Sequence, residues 1–318
     1  MSRQSHNARG IAIAFAMVYF FWGSTFIAVS YGVETIPPLM LVGIRQLIAG
    51  IVLYPLARFR SKEKPALQDW LSGALIGGLL FIGGNGSIAW AEAKLTPTNI
   101  TAVMVAMVPL WMALMDWLRP GGPRPTVRIW AALGIGVVGV SLLMSPHIPF
   151  IGGAGATVSP TCGLVLFAGS LCWAAGSIFS RHLKLPRSLM LSTSIFLIAG
   201  GLMVFIASFA LGEFRNFDVL HISLRSWLAA LYLVIFGSIV GLSAYAYLLR
   251  NVQPARVATY AYINPIVAVI LGWIFAHETV SVRMLIAAAI ILGAVVMVIT
   301  APHAPATEEA SGQPVVPD

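Results

Sequence analysis

Two asparagine side chains lie next to residues that loosen a helix, and both could bind a polar ligand. Asn85 lies within the sequence GGNG, and Asn264 directly precedes Pro265. A carboxamide offers a donor and an acceptor, which suits a zwitterion, and a neighbouring glycine or proline can free backbone groups for binding. An interhelical hydrogen bond explains each asparagine equally well. Both residues are therefore candidates for substrate binding, with helix packing as the alternative.

Two tryptophans lie in a short sequence motif that occurs twice in the chain. Residues 20–27 read FFWGSTFI and residues 171–179 read LCWAAGSIF, so that Trp173 follows Trp22 by 151 positions. Both lie too deep in apolar runs for an interfacial aromatic belt. We expect both rings to line a central cavity where an indole could stack on a substrate ring, with packing between helices as the alternative. The same two interpretations apply to the other predicted substrate-binding residues, Met104, Ser177, Tyr245 and Tyr260.

Two prolines interrupt apolar segments at nearly corresponding places in the two halves of the chain. Pro109 and Pro265 each remove a backbone donor, and paired interruptions are typical of a substrate site or a hinge in transporters. We predict hinge elements at these prolines and at Gly84 and Gly241. A fixed structural kink is the alternative.

Charged side chains are rare inside the apolar runs. Arg45 is the single basic residue well within a predicted helix, where it could attract a substrate carboxylate, snorkel or pair with backbone carbonyls. All eleven acidic residues and all six histidines fall in loops, in tails or within about a turn of a predicted helix end. Because a proton-driven carrier usually keeps an ionisable group along its path, we predict a facilitator without ion coupling. Proton exchange that involves Glu92 is the second choice.

Motifs for covalent chemistry are absent from the sequence. There is no Walker loop, no dinucleotide fingerprint after a strand and no Ser/His/Asp set within membrane reach. Cys162 and Cys172 lie on different faces of one predicted helix, which predicts free thiols and no metal site. We expect neither an enzyme nor a cofactor. An intramembrane enzyme and a lipid-type flippase with a lateral gap between helices remain alternatives.

The composition requires a lipid environment for these residues. Hydrophobic residues make up 58% of the 318 residues and charged residues 9%, against roughly 45–50% and 25% in soluble domains. The apolar runs are about 20 residues long, the length that one helix needs to cross a bilayer. Basic residues lie in the short gaps between these runs, so the net charge of +8 indicates membrane topology and no nucleic-acid partner.

Charges, prolines and glycine clusters divide the chain into ten predicted transmembrane helices. Residues 1–10 and 301–318 are predicted as tails, and the first apolar run is interpreted as an uncleaved helix. The predicted spans are 11–31, 36–57, 69–91, 97–118, 127–144, 161–181, 188–210, 226–249, 254–275 and 282–300.

Lysine and arginine are distributed unequally between the two sides of these spans. Fourteen of the nineteen lie on the side of the N-terminus, Arg45 lies within a helix, and only Lys94, Arg215, Arg225 and Arg283 lie opposite. Since positive residues collect in cytoplasmic loops, both termini are predicted to be cytoplasmic.

The second half of the chain corresponds to the first, helix by helix. The predicted repeats are residues 11–145 and 161–300, joined by a linker at 146–160. An odd number of crossings in each copy makes them inverted repeats, which can exchange conformations and open a central site to either side in turn. The pattern therefore favours a transporter, and a duplication that merely builds a stable bundle is the alternative.

Several motifs together carry a resemblance to a known family. They are the Trp-Gly-Ser-Thr-Phe of the first helix, Pro37-Pro38 with Arg45, the Thr-Pro and Gln-Pro starts of the fourth and ninth helices, the mid-helix Pro109 and Pro265, and Glu278. The chain resembles the EamA branch of the drug/metabolite transporter superfamily, and is most similar to bacterial aromatic amino acid exporters. The resemblance implies an inner-membrane exporter of aromatic and other amino acids, or of related small metabolites. Drugs and other metabolites remain open as substrates, and a monomer or a weak homodimer is expected.

Overall fold

The fold is all-helical in the part of the chain that the structure describes. The computed structural model describes residues 2–118, 126–144, 159–252, 257 and 259–300. The predicted C-terminal tail and most of the predicted linker lie outside these ranges. No β-strand occurs within them, which confirms the predicted helical class.

Besides two short 3₁₀ helices at Glu213–Asn216 and Val219–His221, ten longer helical stretches follow one another in these described ranges, and we label them α1 to α10. Three of them contain a π-helical segment, at Val18–Trp22 in α1, Gly78–Asn85 in α3 and Leu233–Val240 in α8. The α-helical bounds are Ser2–Met17 and Gly23–Gly32 (α1), Pro38–Arg60 (α2), Leu67–Gly77 and Gly86–Ala93 (α3), Thr98–Val105 and Val108–Leu118 (α4), Val127–Met144 (α5), Pro160–His182 (α6), Leu189–Ala210 (α7), Leu224–Tyr232 and Gly241–Asn251 (α8), Tyr260–Phe275 (α9) and Val282–Ile299 (α10).

Most of these helices are long and apolar enough to cross a membrane. Seven meet that requirement over at least 18 residues, namely α1, α2, α3, α4, α6, α7 and α8, and three shorter apolar helices lie in α5, α9 and α10. The structure therefore agrees with a membrane protein that has many spans. The number of ten crossings and the side of each terminus stay predictions.

The first helix begins earlier than the sequence analysis predicts. Residues 1–10 are predicted as a tail, whereas α1 starts at Ser2. The sequence from Ser2 to Arg9 contains no proline or glycine, so nothing in it breaks the helix that the apolar run continues.

The second helix of the first half, α2, packs along its length against the second helix of the second half, α7. Glycines permit this close approach, because a Cβ atom at Gly43 would lie 3.0 Å from the backbone nitrogen of Phe205. In the opposite direction, a Cβ atom at Gly201 would lie 2.9 Å from the backbone nitrogen of Leu47. Small residues at a helix interface allow the backbone contact that drives association in lipid.

The N-termini of α2 and α7 are capped by glutamates from opposite halves of the chain. Glu213, after α7, accepts hydrogen bonds from the backbone N–H groups of Leu39 (3.2 Å) and Met40 (2.9 Å). Glu63, after α2, accepts one from the backbone N–H of Ser188 (3.3 Å), which precedes α7. A carboxylate satisfies free N–H groups at a helix N-terminus and interacts favourably with the helix dipole. Each of these helices therefore receives its cap from the loop that follows the other.

We expect Glu213→Ala to lower the free energy of unfolding by about 1–2 kcal/mol, because it leaves two backbone N–H groups at the start of α2 without a protein partner. Glu34→Ala is a matched control, since it removes only the surface pair with Arg225 (3.1 Å). Thermal unfolding of the purified protein in detergent measures both. Equal melting temperatures for the two variants would contradict a stabilising cap.

Candidate functional site

A cavity of about 80 Å³ lies between helices of both halves. It is large enough for several water molecules or part of a small solute. Five of the eight predicted substrate-binding residues line it: Trp22, Asn85, Trp173, Tyr260 and Asn264. The remaining described lining residues are Thr25, Phe26, Arg45, Gln46, Ile88, Val105, Val108, Gly237, Ser238 and Leu242.

The rings of Trp22, Trp173 and Tyr260 form an aromatic wall of the cavity, and Tyr245 packs against Trp22 outside the lining. The ring centroid of Trp22 lies 6.1 Å from that of Trp173, at an interplanar angle of 88°. The centroids of Tyr245 and Tyr260 lie 4.9 Å and 5.2 Å from it. Edge-to-face contacts of this kind hold rings in defined orientations. The two predicted tryptophans therefore meet across the boundary between the halves.

Each tryptophan packs on a glycine of the other half. A Cβ atom at Gly84 would lie 2.6 Å from Cε3 of Trp173, and a Cβ atom at Gly241 would overlap the indole of Trp22. Only a residue without a side chain leaves room for these rings. The close approach gives both glycines a packing role, while their predicted role as hinges stays a prediction.

The π-helical segments border the cavity. The segments in α3 and α8 occupy corresponding positions, because Leu233 follows Gly78 and Val240 follows Asn85 by the same 155 residues. Within the second segment, the carbonyl oxygen of Gly237 accepts a hydrogen bond from Nε1 of Trp22 (3.2 Å). Isolated π-helical turns occur frequently at functional sites. Their positions were not predicted, since no sequence pattern specifies them.

Two carboxamides also line the cavity. Asn85 ends the π-helical segment of α3 and is partly buried. Asn264 is 7% exposed, and its Oδ1 atom has no hydrogen-bond partner among the described residues. A buried amide oxygen without a partner is costly unless a ligand or water satisfies it. Asn264 is therefore placed as an acceptor for a donor inside the cavity.

The second helix supplies polar lining residues that were not among the predicted binding residues. Arg45 lines the cavity at 6% exposure, and neighbouring Gln46 is 1% exposed. Oε1 of Gln46 accepts a hydrogen bond from the Ser238 hydroxyl (2.8 Å), which ties α2 to α8. The position of Arg45 within a helix was a signal in the sequence, whereas nothing there singled out Gln46 or Ser238.

Three predicted binding residues lie outside the cavity lining. Met104 is fully buried in the hydrophobic core. The Ser177 hydroxyl donates to the backbone carbonyl of Trp173 (2.8 Å), and Tyr245 packs against Trp22. Ser177 and Tyr245 therefore support rings of the aromatic wall from behind. The structure does not bring Met104 to the site.

The two predicted hinge prolines differ in their local structure. The fourth helix is broken by a turn at 106–107, where the Met107 N–H donates to the Met104 carbonyl (3.3 Å), and Pro109 follows directly. Pro265 instead lies inside α9, which continues through it. Pro109 thus coincides with an interruption, whereas Pro265 does not. Whether either one moves stays a prediction.

A buried carboxyl lies beyond the cavity, at the last turn of α3. Glu92 is 5% exposed, and neither of its oxygens has a hydrogen-bond partner among the described residues. Arg45 and Glu278 act on it electrostatically. Glu278 in turn accepts hydrogen bonds from the backbone N–H groups of Thr98 (2.6 Å) and Asn99 (3.1 Å) at the start of α4. The sequence placed Glu92 near a helix end, but its burial depends on how the neighbouring helices pack.

The groups around the cavity are suited to non-covalent binding. The lining offers aromatic rings, amides and a guanidinium. In the described part of the chain, no group of three or more His, Cys, Asp or Glu residues is arranged to hold a metal ion. The arrangement can therefore bind a small molecule that has both an apolar and a polar part.

Comparison with known proteins identifies the class to which this membrane protein belongs. The profile of the EamA-like transporter family matches the chain twice, at residues 9–145 and 161–300. The chain belongs to this family, as its motifs predicted. It is therefore a membrane transporter, and a catalytic activity has no support among its relatives.

Individual relatives agree with this assignment. The chain is 39% identical over 281 residues to the uncharacterized inner membrane transporter YedA of Escherichia coli K12, with 88% of each chain covered. It is 24% identical over 284 residues to a probable amino-acid metabolite efflux pump of Salmonella typhimurium, covering 87% of this chain and 90% of the relative. A solved crystal structure shares the fold at a TM-score of 0.61 and 20% identity, covering 90% and 95%. The predicted location in the inner membrane is confirmed.

We expect Gly84→Ala and Gly241→Ala each to reduce transport about tenfold or more, because a methyl group displaces the tryptophan that packs on the glycine. Gly293→Ala is the matched control, since a Cβ atom there would meet no neighbour within 4 Å. Flux in liposomes, measured beside thermal stability, separates a site defect from unfolding. Full transport by both variants would show that the tight glycine contacts are dispensable.

Proposed function

We propose that this protein exports aromatic and other amino acids, or related small metabolites, across the inner membrane by alternating access. The observation that carries the proposal is the cavity between the two halves, whose lining includes Trp22, Trp173, Tyr260, Asn85 and Asn264. Aromatic rings suit an apolar side chain, and carboxamides suit the polar end of a zwitterion. The similarity to a probable amino-acid metabolite efflux pump supports the substrate class.

Alternating access requires two halves that can exchange conformations, and three reciprocal features support inverted repeats of five helices each. The π-helical segments of α3 and α8 lie at corresponding positions. Each central tryptophan packs on a glycine of the other half. The second helices α2 and α7 receive glutamate caps from each other's following loops. We propose ten crossings with both termini in the cytoplasm, in a monomer or a weak homodimer.

Purified protein in liposomes tests the proposed substrate directly. We expect saturable uptake of labelled phenylalanine or tryptophan, and we expect Trp22→Ala and Asn85→Ala to reduce it about tenfold, because each removes a direct contact from the cavity. Trp227→Ala is a matched control, because Trp227 is 48% exposed on the outside of the helices. No saturable amino acid flux in the wild type would contradict the proposal and direct the search to drugs or other metabolites.

We propose that transport is facilitated and moves the substrate down its own gradient. No Asp, Glu or His is among the described residues that line the cavity, which supports a path without a proton carrier. A proton-coupled exporter is the second candidate, and the buried carboxyl of Glu92 favours it. The charged groups that act on this carboxyl are Arg45 and Glu278.

An imposed pH gradient distinguishes these two candidates. For a facilitator, amino acid flux into liposomes stays constant within about twofold whether or not the gradient is present, since no proton moves with the substrate. Glu92→Gln is the informative variant, and Glu34→Gln on the surface is its control. Flux that follows the gradient in the wild type and loses this dependence only in Glu92→Gln would establish the proton-coupled candidate instead.

A further inference from the structure

The side chain of Arg45 lies inside the protein and does not reach the lipid. It is 6% exposed and lines the cavity together with its neighbour Gln46, which is 1% exposed. Snorkelling to the membrane surface, which a long basic side chain in lipid commonly adopts, is therefore not its conformation.

The guanidinium of Arg45 is incompletely paired within the described part of the protein. Its Nε atom is buried without a hydrogen-bond partner, and no carboxylate among the described side chains lies within 4 Å of it. Glu92 interacts with it electrostatically, without forming an ion pair within 4 Å. A buried cation without a close partner is costly, and such residues in membrane proteins typically mark a substrate path.

The surroundings of Arg45 define what could pair with it. It lines the cavity of about 80 Å³ and also a smaller one of about 20 Å³, which Asn85 lines as well. The Oδ1 atom of Asn264 provides an unpartnered acceptor in the 80 Å³ cavity, and the aromatic wall provides an apolar surface. Arginine presents a planar fork of donors that fits a carboxylate with two parallel hydrogen bonds.

We infer that Arg45 binds the carboxylate of the transported substrate, and that the substrate class is small carboxylates with an apolar or aromatic body. The inference rests on the proposed function and deepens it. The carboxylate lies on the guanidinium, the apolar body lies against Trp22 and Trp173, and an N–H donor of the substrate meets Oδ1 of Asn264. A neutral compound of the same shape lacks the charged contact and is discriminated against.

Two pairs of ligands test this inference by binding to the purified, detergent-solubilised protein, with tryptophan fluorescence or a radiolabel as the readout. The pairs are phenylalanine with phenylalaninamide, and 3-phenylpropionate with its methyl ester. In the wild type we expect each acid to bind about tenfold or more tightly than its partner without a carboxylate, since a hydrogen bond between charged groups is replaced. In Arg45→Gln this ratio should fall to about one, while the affinity for the partner without a carboxylate changes by less than about threefold.

Further variants keep the test independent of folding. Arg45→Lys retains the charge but not the fork, so the ratio should be intermediate. Arg225→Gln removes an arginine whose side chain is 52% exposed at the surface, and should leave the ratio unchanged. A ratio that survives in Arg45→Gln overturns the inference, as does a ratio near one in the wild type for both pairs.

Failure of the proposed function gives a different result. In that case the wild type binds neither phenylalanine nor phenylalaninamide, while the pair of 3-phenylpropionate and its ester still tests the preference for a carboxylate. A carboxylate preference that depends on Arg45 but excludes amino acids would keep the role of Arg45 and reject the proposed substrate. Absence of any carboxylate-dependent binding would reject the role of Arg45.

Discussion

The contact between α2 and α7 is the interaction on which the rest of the structure depends. Glycines on both helices bring the two backbones together, and glutamates from the following loops hold their N-termini. In lipid there is no hydrophobic driving force between helices, so close packing and hydrogen bonding must hold them. This contact places Arg45 and Gln46 on the inward side of α2. The contact with α7 therefore holds the polar side chains of α2 in place at the cavity.

Reciprocal contacts between the two halves position the aromatic wall. Trp22 lies against Gly241 and Trp173 lies against Gly84, and the two indoles meet edge to face. The indole N–H of Trp22 donates a hydrogen bond to the carbonyl of Gly237, which fixes the orientation of the ring. Tyr260 and Asn264 lie four residues apart on α9, so that this helix brings both a ring and an amide to the cavity. A lining with apolar and polar groups suits a ligand with two unlike ends.

The sequence predicted cavity residues that lie in a repeated motif or beside a helix-breaking residue. Trp22 and Trp173 were identified because the motif around them occurs twice, and Asn85 and Asn264 because glycine or proline adjoins them. Met104 could not be placed, since an apolar residue gives no sign of whether it faces a core or a cavity. The burial of Glu92 and the hydrogen bond of Gln46 depend on how helices distant in sequence lie side by side. The π-helical segments likewise follow from packing.

The glycine and tryptophan pairs have a consequence for how this chain can vary. The indole of Trp173 occupies the space that a side chain at position 84 would need. The indole of Trp22 does the same at position 241. A larger residue at either glycine is compatible with the fold only if the opposite ring becomes smaller. Substitutions at these positions are therefore expected to occur as compensated pairs, with each half constraining the composition of the other.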